Sequence, residues 1–341
     1  MSARDKWLGL LNLETIRGLE FGPADRPWIP ASTPGIRYID HLTTEELRKK
    51  LEKFAGDTTY KSENLCHIHF VNDGRPLREI LGSWVDLDVV AASHVIEHVP
   101  DLLRWLQDLA SVLRPGGLVL LAAPNKHFEF DRLRRVTNVD DVLADFLEKR
   151  KRPSPRAMID CWMHHCHING VQTWLDEVDP STLSQFQTIN QAFSTARSVY
   201  EEGNYRDVHV SVFTPYSFVQ ILRELTTLEM FPFELVELEP EGAEFFVMLK
   251  SCEAPDDVQG RLAILDEVAE RLTFVVDDYY SSEYVVKGAR RPTNPVEDEL
   301  REQLERAQAD LARATGELER MKGSASWKMT EPLRKVRSRL R

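Results

Sequence analysis

Short apolar runs alternate with amphipathic stretches through the first 250 residues of the chain. Residues 17–21 form a short strand candidate ending at Gly22-Pro23, and residues 35–40 (GIRYID) form a second. Residues 43–54 (TTEELRKKLEKF) have helical spacing, with Thr43 as N-cap and Glu46 three positions on to complete a capping box. Residues 66–71 (CHIHFV) give a third strand and residues 75–82 a short helix. Residues 88–92 (DVVAA) are compact and apolar, as a strand covered on both faces should be. Leu102, Leu103, Leu106, Leu109, Ala110 and Leu113 then recur at helical spacing until Arg114-Pro115-Gly116-Gly117 stops the helix. Residues 118–123 (LVLLAA) make a fifth strand. A helix over 214–228 opens at Thr214-Pro215, with proline at its first position. Two strands, 233–239 and 244–250, are joined by the turn PEGA.

Strands alternating with helices predict an α/β fold with a mostly parallel sheet, closed by a C-terminal antiparallel hairpin. Residues 131–205 break the rhythm: they are polar, mostly helical and rich in His and Trp, as a helical insertion or lid would be. The main domain therefore spans 1–252, beginning with a short helix or loose arm over 1–16. Helix and linker follow over 253–295. Leu300, Leu304, Ala307, Leu311, Ala314, Leu318 and Met321 then recur at alternating spacings of four and three, a heptad seam that predicts a coiled coil over 296–322. It could pair two copies of the chain.

The net charge of −12 argues against nucleic acid as a partner. Residues 326–341 reverse that sign, with six Lys or Arg against one Glu. Trp327, Met329, Leu333, Val336 and Leu340 are spaced among those cations, so 323–341 is a basic amphipathic tail suited to an anionic membrane surface or to a flexible extension. Four scattered cysteines give no disulfide framework, and no apolar run reaches spanning length. The expected setting is the cytoplasm, with peripheral contact at the inner face of a membrane. No metal site is assigned: Cys161, His164, His165, Cys166 and His167 crowd one short segment, whereas a closed zinc site takes four ligands from separated arms.

Candidate chemistry gathers at strand ends. Gly22 lets the backbone approach a ligand after the first strand, beside Glu20 and Phe21. Asp40, twenty residues beyond Glu20, ends the second strand, where a carboxylate can accept both hydroxyls of a ribose. Residues 86–124, DLDVVAASHVIEHVPDLLRWLQDLASVLRPGGLVLLAAP, then resemble the fourth and fifth motifs of class I S-adenosylmethionine-dependent methyltransferases with Glu-His after the fourth strand. The likeness covers about residues 10–250 and implies the Rossmann-like methyltransferase fold with S-adenosyl-L-methionine as cofactor. It places Glu20, Phe21 and Gly22 in the cofactor loop, Asp40 with His41 at the ribose, Asp73 or Asn72 near the adenine, and Ser93-His94 beside the methionine moiety. The family's three-glycine loop is reduced here to one glycine followed by Pro23.

A finer resemblance is to a bacterial subgroup associated with glycosyltransferases and surface-polysaccharide enzymes. It rests on Leu19 to Pro23, on Tyr38-Ile39-Asp40-His41, on KRPSPR at 151–156 and on DVHVSVFTPYSF at 207–218. It implies O-methylation of a sugar or sugar phosphate, with a glycosyltransferase as partner. A small-metabolite acceptor is the alternative, and a scaffold that keeps the fold without turnover is a third. For a hydroxyl acceptor the enzyme needs a base. His209 is the first candidate, with Asp207 on the same side of an extended segment to orient it, against a structural histidine at the lid joint. His94 is the second candidate, and Glu97 and His98 are expected to fix the helix that follows.

Overall fold

The computed structural model describes residues 2–53, 64–168, 183–185, 187–203, 205–252 and 257–279. In chain order the elements are α1 (Ala3–Leu8), β1 (Gly18–Phe21), β2 (Ile36–Asp40), α2 (Thr44–Lys53), β3 (Phe70–Val71), α3 (Leu77–Leu81) and β4 (Leu87–Ser93). They continue with α4 (Leu102–Val112), β5 (Leu113–Pro124), α5 (Val139–Leu147), α6 (Pro155–His164), β6 (Cys166–Ile168), β7 (Leu183–Gln185) and α7 (Ile189–Glu202). The last are α8 (Pro215–Thr227), β8 (Phe233–Glu241), β9 (Glu244–Ser251) and α9 (Val258–Tyr279). One sheet has the order β3-β2-β1-β4-β5-β9-β8, parallel from β3 to β5 and antiparallel from β5 through β9 to β8. The predicted α/β fold is present, and the order reverses between β1 and β4, which sets the crevice for a ligand there.

The strands are apolar on both faces because helices cover both. Leu19, Phe21, Val90 and Ala92 pack with α3, α4, α8 and α9 on one side. Val89, Ala91, Leu120 and Phe246 pack with Trp7, Trp28, Tyr38 and Leu47 on the other. Trp7 in α1 is fully buried, stacked with Trp28 and edge-on to Phe246, so the N-terminal segment is a short helix sealed to the sheet. Leu103, Leu106 and Leu109 of α4 are likewise fully buried, each contributing about 1.5–3 kcal/mol of burial energy. The caps form as their residue types demand. Thr43 exchanges hydrogen bonds with Glu46, and Thr214 caps α8 with Pro215 at its first turn.

Three elements differ from expectation. The third strand is only Phe70–Val71, because the Tyr38 N–H donates to the His69 imidazole at 3.1 Å and so is unavailable to a longer ladder. The fifth strand starts early, at Leu113, with Leu113 opposite Leu87 before the register shifts at Val89. Gly117 is forced in that turn, since a Cβ there would lie 2.8 Å from the Leu87 carbonyl oxygen. The insertion contains, besides α5, α6 and α7, a two-stranded β6–β7 sheet, and α6 and α7 share a small core of Met158, Cys161, Trp162, Ala192, Ala196 and Val208. No helix among the described residues is long and apolar enough to cross a membrane. The expected linker, coiled coil and basic tail lie outside the described residues.

Candidate active site

The carboxyl ends of β1, β2 and β4 converge at the reversal of strand order. Gly22 takes φ +58°, and a Cβ there would meet Val95 Cγ2 at 3.1 Å, so the backbone is drawn tight against the turn after β4. Asp40 ends β2 almost buried, with Oδ1 2.6 Å from His41 Nδ1. The pair stands at the carboxyl edge of β2, with the histidine ring on its exposed rim. Glu20 is placed differently from expectation. Its carboxylate accepts from the Trp28 N–H at 2.6 Å and the Ile29 N–H at 2.9 Å, and is 1% exposed. Burial pushes this carboxyl up to about 7, against the pull of those two amides. Glu20 therefore shapes the loop from beneath, and its side chain has no free face for a ligand. The Phe21 ring turns into the core against Trp105, leaving its backbone for the loop. Asp73 is held by Arg75 on the surface after β3. The Asn72 N–H donates to the Asp40 carbonyl at 2.8 Å.

Ser93 and His94 lie where β4 leaves the sheet, paired to Ala122 of β5. His94 adopts φ +53°, a conformation that non-glycine residues rarely take and that marks a constrained site. Its Nε2 contacts Glu244 of β9, and its Nδ1 lies 3.4 Å from Glu97 Oε1. Burial lowers its proton affinity, but these two carboxylates outweigh burial and raise it to about 10. A protonated His94 is a charged positioning group at neutral pH, so its expected role as second-choice base is not the one this geometry favours.

Beyond Glu97 a buried polar cluster is built from residues distant in sequence. Glu97, in the single-turn helix Ile96–His98, has no exposed surface. Burial raises its carboxyl, yet His94, His98 and His209 around it bring it below the usual range. The Glu97 carbonyl accepts from the N–H groups of Val210 at 2.7 Å and Ser211 at 3.0 Å, which ties this turn to the segment bearing His209. The expected Asp207–His209 partnership is corrected: His209 Nδ1 lies 2.5 Å from Asp131 Oδ2, while Asp207 Oδ1 lies 2.9 Å from His98 Nδ1. Alternation along 207–209 gave the right side, but the lid supplies another carboxylate deeper in the protein. Asp131 is fully buried and also pairs with Arg134 at 2.9 Å. Burial would raise it, but the neighbouring His209 ring and Arg134 guanidinium hold it well below the ordinary range. Burial beside Asp131 and Glu97 pushes neighbouring Glu129 up to about 10.

Glu129, Asp131, Glu97 and His98 thus join the site, although sequence reasoning gave the first two no role and the last two a helix-fixing one. One signal was available: Glu129 and Asp131 follow directly from the carboxyl end of β5, the edge where such sheets bind ligands. Lys50 Nζ reaches both His41 Nε2 and Asp207 Oδ2 at 3.4 Å, so a polar chain runs from the Asp40–His41 pair to Asp207 and His98. His165 stacks on Phe130, which also meets His209. Cys161 and Cys166 are buried thiols raised by burial, consistent with a packing role.

A positive-φ glycine drawn against the next turn and a carboxylate acceptor at the end of β2 fit the close approach and the hydroxyl donors of an adenosine-type cofactor. The family model described as "Methyltransferase domain" matches residues 3–225. The chain belongs to that family. A 39-residue segment is 51% identical to the ubiquinone biosynthesis O-methyltransferase of Parvibaculum lavamentivorans, covering 11% of this chain and 15% of that protein. The chain thus matches well under two thirds of that relative's length. Among solved structures, an S-adenosylmethionine-dependent methyltransferase from Aquifex aeolicus is 10% identical over 73% of this chain and 89% of its own, with TM-score 0.33. One from Mesorhizobium loti is 13% identical over 73% of this chain and 98% of its own, with TM-score 0.35.

Proposed function

We propose that this methyltransferase O-methylates a hydroxyl of a sugar or sugar phosphate during bacterial glycan assembly. The observation that carries the reading is the buried His209–Asp131 pair on the acceptor side of Ser93-His94. S-adenosylmethionine supplies the methyl group when bound. Asp40 would hold its ribose, the Gly22 turn would admit its backbone-facing edge, and Ser93-His94 would flank its methionine end. Asp131 orients the His209 ring through Nδ1–H, which leaves Nε2 to take the proton of an acceptor hydroxyl. The lid of α5 to α7 excludes water from that transfer. Support for a sugar acceptor comes from the resemblance of KRPSPR at 151–156 and DVHVSVFTPYSF at 207–218 to segments of glycan-associated enzymes. A glycosyltransferase partner, pairing through residues 296–322 and reversible contact with the inner membrane face through 323–341 belong to the same reading.

A small-metabolite acceptor is the second reading, favoured by the short match to an enzyme whose name specifies O-methylation in ubiquinone biosynthesis. The test is incubation with methyl-labelled S-adenosylmethionine and three acceptor sets: nucleotide sugars, sugar phosphates and catechols. Label on a sugar oxygen supports the proposal, and label only on catechols selects the second reading. Cofactor bound without transfer to any acceptor would reduce the chain to a scaffold.

A further inference from the structure

Glu97 is the anomaly of the cluster. It is fully buried, and neither carboxylate oxygen accepts a hydrogen bond, an arrangement that a folded chain rarely leaves without a ligand. Its nearest polar neighbours are His94 Nδ1 at 3.4 Å and His98 Nε2 at 3.9 Å. The His98 and His209 rings stand edge to face, 4.7 Å apart. One carboxylate oxygen of Glu97 and one ring nitrogen from each of His98 and His209 all lie within 4.8 Å of one another. Each of these histidines has a further carboxylate at Nδ1: Asp207 at 2.9 Å from His98, and Asp131 at 2.5 Å from His209. The Asp131 bond fixes the Nδ1–H tautomer of His209 and presents its Nε2 as the lone-pair nitrogen, which is how metal-binding histidines are held.

We propose that Glu97, His98 and His209 form a site for one divalent transition-metal ion, with Asp207 and Asp131 as its outer carboxylates. Two imidazoles and one carboxylate suit zinc, iron(II), manganese(II) or cobalt(II) better than magnesium or calcium, which want all-oxygen sites. Metal bonds of ~2.0–2.2 Å put ligand atoms ~3–4 Å apart, so a bound ion draws these three inward by ~1 Å or less. The backbone already holds the two ligand-bearing segments together through the Glu97 carbonyl and the Val210 and Ser211 amides. The adjoining trio Glu129, Asp131 and His209 is equally close, but Asp131 is already hydrogen-bonded to Arg134 at 2.9 Å and to His209, whereas neither Glu97 oxygen is taken. The proposal goes beyond the proton-transfer reading: an ion and a proton compete for the same His209 ring, so the base role belongs to the metal-free chain.

The experiment titrates cobalt(II) alone into the full-length chain after chelator treatment, following visible absorption, with zinc(II) competition by calorimetry. The expected result is one equivalent bound, visible d–d bands without a near-ultraviolet thiolate band, and displacement by zinc. His98→Gln and Glu97→Gln should each weaken binding at least tenfold. Asp207→Asn, which leaves all three ligands in place, should weaken it about 10- to 100-fold. Circular dichroism checks folding, and if Glu97→Gln does not fold, His98→Gln and Asp207→Asn decide. Absence of binding at millimolar cobalt(II), a thiolate band, or His98→Gln binding like wild type would overturn the site. Neither metal nor variant data depend on a methyl acceptor, so failure here leaves the transferase reading intact. Its own failure would show as metal bound without methyl transfer.

Discussion

Replacing Asp131 by Asn separates the two carboxylates that compete for the role of orienting His209. Asp131 has no exposed surface and lies 2.5 Å from His209 Nδ1 and 2.9 Å from Arg134 Nη1, which is itself 1% exposed. The amide removes the charge and keeps one acceptor oxygen, so Arg134 is left with Asp160 alone, at 2.8 Å. Taking one partner from a buried ion pair costs about 3–5 kcal/mol, and the retained acceptor lowers the expectation to about 2–4 kcal/mol. Asp207 is 45% exposed and pairs with half-exposed groups, so Asp207→Asn should cost no more than about 1 kcal/mol. Urea unfolding of the two variants measures the difference. Nitrogen-15 spectra of the imidazoles give a second readout: Asp131→Asn should change the His209 tautomer signals, and Asp207→Asn should change those of His98. If Asp207→Asn destabilises as much as Asp131→Asn, or shifts His209 and not His98, the orienting role of Asp131 is wrong.

Asp40→Ala should weaken S-adenosylmethionine binding by about 1.5–3 kcal/mol, the scale of charge-assisted hydrogen bonds, and calorimetry giving wild-type affinity would remove Asp40 from the site. The His94 ring, raised to about 10 by Glu97 and Glu244, should stay protonated at pH 8 in proton-carbon spectra. Its folded pKa exceeds the unfolded value, so its stabilisation is complete below about pH 6.5 and is lost as pH rises through about 10. Glu244→Gln should move that loss to lower pH, and an unchanged His94 titration counts against the pair. A chain ending before Asn294 should keep cofactor binding and turnover on a soluble acceptor, while losing self-association and sedimentation with phosphatidylglycerol vesicles at low salt. Identical behaviour of the two lengths in both assays would make the C-terminal region an inert extension.

The sheet was legible because buried parallel strands and amphipathic helices carry different periods, and because 86–124 keeps strand, helix and strand in an ordered run. That Asp40 and Gly22 stand at strand ends was legible from the same pattern. The partner of His209 was not. Asp131 and His209 are 78 residues apart, and their pairing depends on how the lid folds back, which no local pattern encodes. The short third strand was hidden for another reason: a histidine side chain takes the backbone donor that a longer ladder needs. The direction of the Glu20 carboxylate was not legible, because it is set by the amides of Trp28 and Ile29.

The most direct measurement of the central claim is single-turnover methyl transfer from labelled S-adenosylmethionine to the best sugar acceptor, by wild type and by His209→Asn, with cofactor affinity measured beside it. A base at His209 predicts label on a sugar oxygen, a rate loss of about a hundredfold or more in the variant, and cofactor affinity unchanged. Equal rates in the two proteins, or label on no oxygen, would contradict it.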